Sequence, residues 1–329
     1  MNLIILPKSK DLLDVAFRKA RKASAMLKSE RNVIKDAKGK NIKRIETSSN
    51  YVAEFLLRAC LEFPNMKEVN PFYRELMETT VDINQTLKAL GHISVERRII
   101  LKIKGNSIGR IKGLDKREST KASPIVREFY GRLSGLVKKL DGSIEKYNKA
   151  AKKLKELPKI KTDLPTAIIA GYPNTGKSTI LGKLTKSQPK VAAYPFTTQK
   201  LEIGYLLHNY LKFQLIDTPG LLDRPLEERN RIERKGIAAF RHLAETIVFV
   251  VDPTMQCGFP LDKQEGLFRE IKEEFRGIAM IPVINKTDIA SKEEMEIAKK
   301  AFPKAIIEGN EIESDLAERI VKALERKEN

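Results

Sequence analysis

The sequence is poor in the residues that make covalent and metal cross-links. Its 329 residues include two cysteines, three histidines and no tryptophan. Cys60 and Cys257 stand in opposite halves of the chain and fit reduced, buried thiols better than a disulfide. A structural zinc needs four ligands, which so few scattered Cys and His residues do not supply. His92, His208 and His242 read as surface or hairpin residues rather than acid–base catalysts, and Cys257 as structural. No uncharged apolar run approaches the ~18–20 residues of a membrane-crossing helix. The opening "MNLIILPKSKD" has no basic stretch before its short apolar run and no small-residue cleavage site after it, so no signal peptide is expected. These absences predict a cytoplasmic protein without membrane contact.

Acidic residues are scarce in one half only. Residues 1–160 hold 36 Lys and Arg against 18 Asp and Glu, whereas residues 161–329 hold 26 against 25. A lysine-rich solvated surface of the kind found in heat-adapted proteins would mix signs throughout. The asymmetry instead predicts a polyanionic partner for the first half.

The chain is long enough for two domains with separate cores. Residues 1–160 read as an all-α elongated bundle, with helices over 11–30, 41–63 and 71–103 and a last one behind Pro124. Ser119 or Ser123 is the candidate N-cap of that last helix. Its apolar positions, 125, 129, 133, 136, 140, 144, 147, 151 and 154, form one seam that Pro158 ends. "GNSIGRIKGLDKREST" (105–120) reads as the flexible loop of this domain.

Residues 161–329 alternate strands with helices, which predicts an α/β domain with a mostly parallel sheet and one antiparallel hairpin strand. The apolar strand "TAIIA" (166–170) runs into "GYPNTGKST" (171–179), a match to G-x-x-x-x-G-K-[ST]. In such a loop the backbone N–H groups of Asn174, Thr175, Gly176 and their neighbours, with Lys177 and Thr179, cradle phosphates. The Ser178 hydroxyl ligates Mg²⁺. "LEIGYLL" (201–207) and "LKFQLID" (211–217) face each other as a hairpin and deliver Asp217 to the position where a carboxylate holds Mg²⁺. Gly220 can offer its N–H to a γ-phosphate. Many GTPases carry a water-orienting glutamine after this glycine, but here that place is Leu221, so no side-chain base is evident and slow intrinsic hydrolysis is expected.

"NKTD" (285–288) follows an apolar strand and selects the base. The Asp288 carboxylate can accept from guanine N1–H and the 2-amino group, which adenine cannot match. Asn285 would brace the loop and the Lys286 stem would cover the purine. "EGN" (308–310) stands where GTPases have a further base-contacting loop, which makes Glu308 and Gly309 positional candidates only.

"GYPNTGKST", "AAYPFTT" (192–198), "DTPGLLDRPLEERNRIE" (217–233) and "VDPTMQCG" (251–258) together resemble the Obg-related GTPases, and more closely the nucleolar G-protein (Nog) family. "FPNMKEVNPFYRELMETTVD" (63–82) and "LKALGHIS" (87–94) resemble that family's N-terminal helical domain. The resemblance implies a GTP- and GDP-binding protein that hydrolyses GTP, acts in assembly of the large ribosomal subunit and contacts ribosomal RNA through its basic half. Thr197 or Thr198 is the Mg²⁺ and γ-phosphate ligand expected in the GTP state, with the loop 187–200 ordering there; the resemblance favours Thr198 and further implies Asn174 as a potassium ligand in place of an arginine finger. Against potassium stands the simpler reading that Asn174 shapes the turn. Eukaryotic members run on for hundreds of residues, so the resemblance is to a short, archaeal-type form to which nucleolar localisation does not carry over. A monomer is expected when the protein is free. The alternative is a signalling or membrane-surface GTPase whose basic bundle meets acidic lipid or a protein.

Overall fold

The protein is described here from a computed structural model, which covers residues 2–27, 33–115, 121–185, 189–194, 200–208, 210–307 and 317–322. The chain forms two compact units: Met1–Glu68 with Val81–Lys155, and Val69–Thr80 with Glu156–Asn329.

The first unit is helical. Its elements are α1 (Ser9–Ala25), α2 (Val33–Glu62), α4 (Ile83–Gly113), α5 (Ala122–Lys139) and α6 (Asp141–Lys155). Each helix buries positions three, four or seven apart: Leu12, Ala16 and Ala20; Ile45, Val52, Leu56 and Ala59; Ile93, Ile100, Ile103, Ser107 and Ile111; Ile125, Phe129, Leu133 and Val137; Ile144, Tyr147, Ala151 and Leu154. That is the spacing of one face of a 3.6-residue helix. The N-terminal segment is tied to α6: Asn148 bonds Leu6 N–H (2.9 Å) and Leu6 O (2.8 Å), and the Tyr147 hydroxyl donates to Ile4 O (3.0 Å).

Four expectations change here. Ser123 lies inside α5, whose N-cap position is Lys121, while Ser119 is outside the described residues. The single long helix behind Pro124 is two, α5 and α6, which meet at Leu140. Leu140 keeps near-helical angles (φ −82, ψ −9), but its N–H bonds Val137 O only three residues back (3.1 Å). Asp141 turns its carboxylate to Ser9 N–H (3.3 Å) and Oγ (2.9 Å), a cap-like role that competes with a continuous helix. The helix expected over 71–103 also divides, because the Asp82 side chain accepts from Gln85 N–H (2.9 Å) and starts α4 afresh. Residues 105–113 are not a loop. They continue α4, because Ile103, Ser107 and Ile111 extend its buried seam past Gly105 and Gly109; residues 116–120 lie outside the described set. A mid-helix glycine costs about 1 kcal/mol, which tertiary burial can outweigh.

The second unit contains α3 (Pro71–Thr80), which the sequence places with the first domain. Asn70 accepts from Phe72 N–H (3.0 Å) and Pro71 occupies the first turn, so α3 has its own start. Phe72 packs on Phe240 at 5.7 Å, and the Tyr73 hydroxyl accepts from Ile160 N–H (2.8 Å) and lies 2.9 Å from Pro158 O.

Among the described residues seven strands form the sheet: β1 (Thr166–Ala170), β2 (Lys190–Ala193), β3 (Lys200–His208), β4 (Leu211–Asp217), β5 (Thr246–Val251), β6 (Ala279–Ile284) and β7 (Ile306–Ile307). Their order is β2-β3-β4-β1-β5-β6-β7. Only β3 is reversed, pairing antiparallel with both β2 and β4; the other pairs are parallel. β1 and β5 are buried along their whole length, which is why they read as unbroken apolar runs. Helices α7 (Lys177–Leu184), α8 (Arg231–Ala239), α9 (Leu261–Glu274) and α10 (Lys292–Ala301) connect the strands. One sheet face, with Ile169, Leu215, Val250 and Val283, packs on Ile180, Leu181 and Leu184 of α7 and on Ile320 and Val321.

Candidate nucleotide site

Three parallel strands deliver the site. β1 ends in the 171–176 turn, β4 ends at Asp217, and β6 leads into Asn285–Asp288. All three segments leave the carboxyl ends of their strands, the edge where open α/β sheets bind ligands.

The turn after β1 has backbone angles that explain its composition. Gly171 (φ +131) and Gly176 (φ +95) lie where a side chain is disfavoured, and Asn174 (φ +61) is left-handed as well. A Cβ on Gly171 would stand 2.5 Å from Val250 O, and one on Gly176 would stand 2.0 Å from Asn285 Nδ2. The left-handed angle at Asn174 is itself a reason for asparagine there, and its side chain is exposed.

Lys177 is buried with its ammonium on two turn carbonyls, Gly171 O (3.0 Å) and Tyr172 O (2.8 Å). Burial holds its pKa below the usual lysine value, with the Asp217 charge opposing that shift. Ser178 and Thr179 are exposed at the start of α7, and Thr175 is fully buried with its hydroxyl on Tyr172 O (2.9 Å).

The Ser178 hydroxyl donates to Asp217 Oδ2 at 2.8 Å. Burial raises the Asp217 pKa, opposed by the Ser178 bond and by Lys177. Asp217 Oδ1 is buried without a partner among the described residues. A buried carboxylate oxygen with no donor, beside a hydroxyl and an ammonium, suits a hard cation. Ser178 and Asp217 therefore fit Mg²⁺. No group of three or more His, Cys, Asp or Glu side chains suited to a metal occurs among the described residues, so phosphate and water oxygens would complete the shell.

Asn285 joins the base-selecting loop to the phosphate loop. Its Nδ2 donates to Thr175 O at 2.8 Å, across 110 positions of sequence. Lys286 (φ +55) is held by Asp252, Nζ to Oδ2 at 2.7 Å. The Asp252 carboxylate also accepts from Thr254 N–H (3.0 Å), Thr254 Oγ1 (2.6 Å) and Cys257 N–H (2.8 Å). Burial works against ionisation of Asp252, but these donors outweigh it and keep its pKa below the usual carboxylate value. Asp288 is exposed.

Leu221 is fully buried, so no side chain at that position reaches water. The Gly220 N–H donates to Asp223 Oδ2 (2.6 Å), and Asp223 Oδ1 accepts from Arg229 Nη2 (2.9 Å). Sequence reasoning assigned no role to Asp252, Asp223 or Arg229, although all three lie in the quoted motifs. The available signal was a carboxylate at the end of the buried strand β5 and two opposite charges inside the segment after Gly220. Residues 190–193 of the expected switch loop form β2, whereas Thr197, Thr198, Glu308 and Gly309 lie outside the described residues. His92 contacts Ser143 (2.9 Å) and His242 contacts Glu75 (3.3 Å), both at the surface.

Residues 1–161 match the NOG1 N-terminal helical domain, and residues 231–288 match the model of nucleolar GTP-binding protein 1 (NOG1). The chain belongs to the Nog1 family. Its second unit is a P-loop GTPase domain. An uncharacterized protein of Methanocaldococcus jannaschii is 35% identical over 90% of this chain and 82% of its own. Nucleolar GTP-binding protein 1 of Eremothecium gossypii is 32% identical over 92% of this chain, and that of Saccharomyces cerevisiae 37% over 71%. The match spans 47% and 36% of those two fungal proteins. No helix among the described residues is long and apolar enough to cross a membrane.

Proposed function

We propose that the protein is a GTP-binding switch that hydrolyses GTP slowly and acts in assembly of the large ribosomal subunit, with ribosomal RNA held by the basic helical unit. The observation that carries the nucleotide reading is the 2.8 Å bond from Asn285 to Thr175 O, which joins a phosphate cradle to a guanine-selecting loop. Asn174, Thr175, Gly176, Lys177, Ser178 and Thr179 receive the phosphates, Gly220 the γ-phosphate, and Asn285, Lys286 and Asp288 the base. Mg²⁺, held by Ser178 and Asp217, with Thr198 in the GTP state, would neutralise charge on the β- and γ-phosphate oxygens.

The RNA reading rests on the family and on the charge of residues 1–160. Lys8, Lys10, Lys149, Lys152 and Lys153 are exposed around one open groove of about 920 Å³ in the first unit, where they outnumber the two carboxylates of its lining, Asp141 and Glu145. A groove lined by lysines suits a phosphate backbone. The signalling or membrane-surface alternative has no comparable support: among the described residues no exposed aromatic stripe accompanies these lysines.

Competition binding tests the nucleotide reading. GTP and GDP bind, and ATP at about a hundredfold excess does not compete. Asp288→Asn weakens guanine nucleotides by about 1.5–3 kcal/mol for each charged hydrogen bond lost and shifts preference towards xanthine nucleotides. Unchanged guanine preference in that variant would remove Asp288 from the base site.

A further inference from the structure

The amide expected to sense a γ-phosphate is already engaged. Gly220 N–H donates to Asp223 Oδ2 at 2.6 Å. Gly220 O accepts from Arg229 Nη1, and Arg229 Nη2 bridges back to Asp223 Oδ1 at 2.9 Å. The N–H and the C=O of Gly220, which belong to successive peptide groups, are thus both held by one ion pair. Gly220 has φ +74, so the peptide is fixed in a conformation that glycine alone adopts readily. The pair is deeply buried, with Asp223 7% and Arg229 3% exposed. Arg229 Nε has no partner among the described residues, although it too is buried. A charged group with one donor unsatisfied is not at an optimum, which suits an arrangement that exchanges for another.

An N–H bond points at one strong acceptor at a time. A γ-phosphate oxygen taking the Gly220 amide must displace the Asp223 carboxylate, and two anions cannot share the site without mutual repulsion. A nucleoside diphosphate has no group for that position and leaves the pair intact.

We propose that Asp223 is an internal competitor of the γ-phosphate and that Arg229 positions it, so that this buried pair sets the balance between diphosphate and triphosphate binding. The inference deepens the GTP-switch reading and rests on it. Asp223 acts on the ligand through the Gly220 amide and is a positioning residue, as is Arg229.

The test is a pair of affinities, for GDP and for a non-hydrolysable GTP analogue, in the full chain and its Asp223→Ala and Asp223→Asn variants. Removing a charged acceptor from this amide raises the ratio of analogue to GDP affinity by about tenfold or more in Asp223→Ala. Asp223→Asn is nearly isosteric, keeps a neutral acceptor and gives a smaller rise in the same direction. GDP affinity stays within about twofold of wild type in Asp223→Asn, which reports an intact site. An unchanged or lowered ratio in Asp223→Asn, with GDP affinity retained, overturns the proposal even if Asp223→Ala does not fold. Loss of GDP binding in Asp223→Asn also overturns it, since the pair would then support the site rather than compete within it. Wild-type protein that binds neither nucleotide would contradict the GTP-switch reading itself, a separate outcome.

Discussion

Gly176 is a glycine for two reasons, one local and one not. Its φ of +95 disfavours a side chain, and a Cβ would collide with the Asn285 amide 2.0 Å away. The first reason belongs to the phosphate-loop motif and is legible in six consecutive residues. The second depends on a loop more than a hundred positions later. The same division separates the site residues that the sequence reveals from those it hides. Lys177, Ser178, Asp217 and Asp288 belong to patterns in which spacing alone implies chemistry. Asp252, Asp223 and Arg229 act by holding Lys286 or the Gly220 peptide, so only the folded chain exposes their part. Leu221 is buried, so under the proposed function the charge that assists hydrolysis would come from another group. Asn174 is the candidate within the loop, through potassium, although its left-handed angle gives it a structural role as well. GTP turnover in matched KCl and NaCl separates the two. The potassium role predicts faster turnover in KCl, with the difference lost in Asn174→Ala. Equal rates in both salts for the wild type would leave Asn174 only its part in the turn.

At the scale of elements, strands were read more accurately than helix ends. β1 and β6 are apolar runs bounded by motif residues and β4 is a hairpin strand of alternating character, and each is visible in the sequence. β2 and β7 are not, being short strands of four and two residues at the two edges of the sheet. In the first unit the one seam read from the sequence matches the buried faces of α5 and α6 except at 136, where Val137 is buried instead, and a seam does not record breaks. Asp82 and Asp141 interrupt helices through hydrogen bonds rather than through a change of period. The opposite error occurred at 105–113, where glycines suggested a loop and burial of Ser107 and Ile111 maintains a helix. A prediction follows from the space around those glycines. A Cβ on Gly105 or Gly109 meets nothing within 4 Å. Gly105→Ala and Gly109→Ala each stabilise the protein by about 0.5–1 kcal/mol, through higher helix propensity and a less flexible unfolded chain. Urea unfolding checks this: a lowered midpoint in both variants would mean that the segment is not helical in solution.

For the whole molecule, the division of charge carries as much information as any motif. The +19 net charge belongs almost entirely to the first 160 residues, and the GTPase domain is close to neutral. Under the proposed function, polyanion binding and nucleotide switching would fall to different stretches of one chain. Composition could place that boundary near residue 160, but it could not foresee that α3 would leave the basic segment. Phe72, Leu76 and Met77 are buried in the second unit, so α3 belongs in packing to the GTPase domain. A phosphate-binding surface releases counterions, so its affinity falls steeply as salt rises. A switch adds a second dependence, on which nucleotide is bound.

Both dependences meet in sedimentation of the full chain with large ribosomal subunits, in the presence of GDP or of a non-hydrolysable GTP analogue, at ~50 and ~200 mM salt. The account predicts that more protein sediments with subunits in the analogue than in GDP, and that the bound fraction falls sharply at the higher salt. Equal sedimentation with both nucleotides and no change with salt would contradict it. Tighter binding to acidic vesicles than to subunits would favour the membrane-surface alternative.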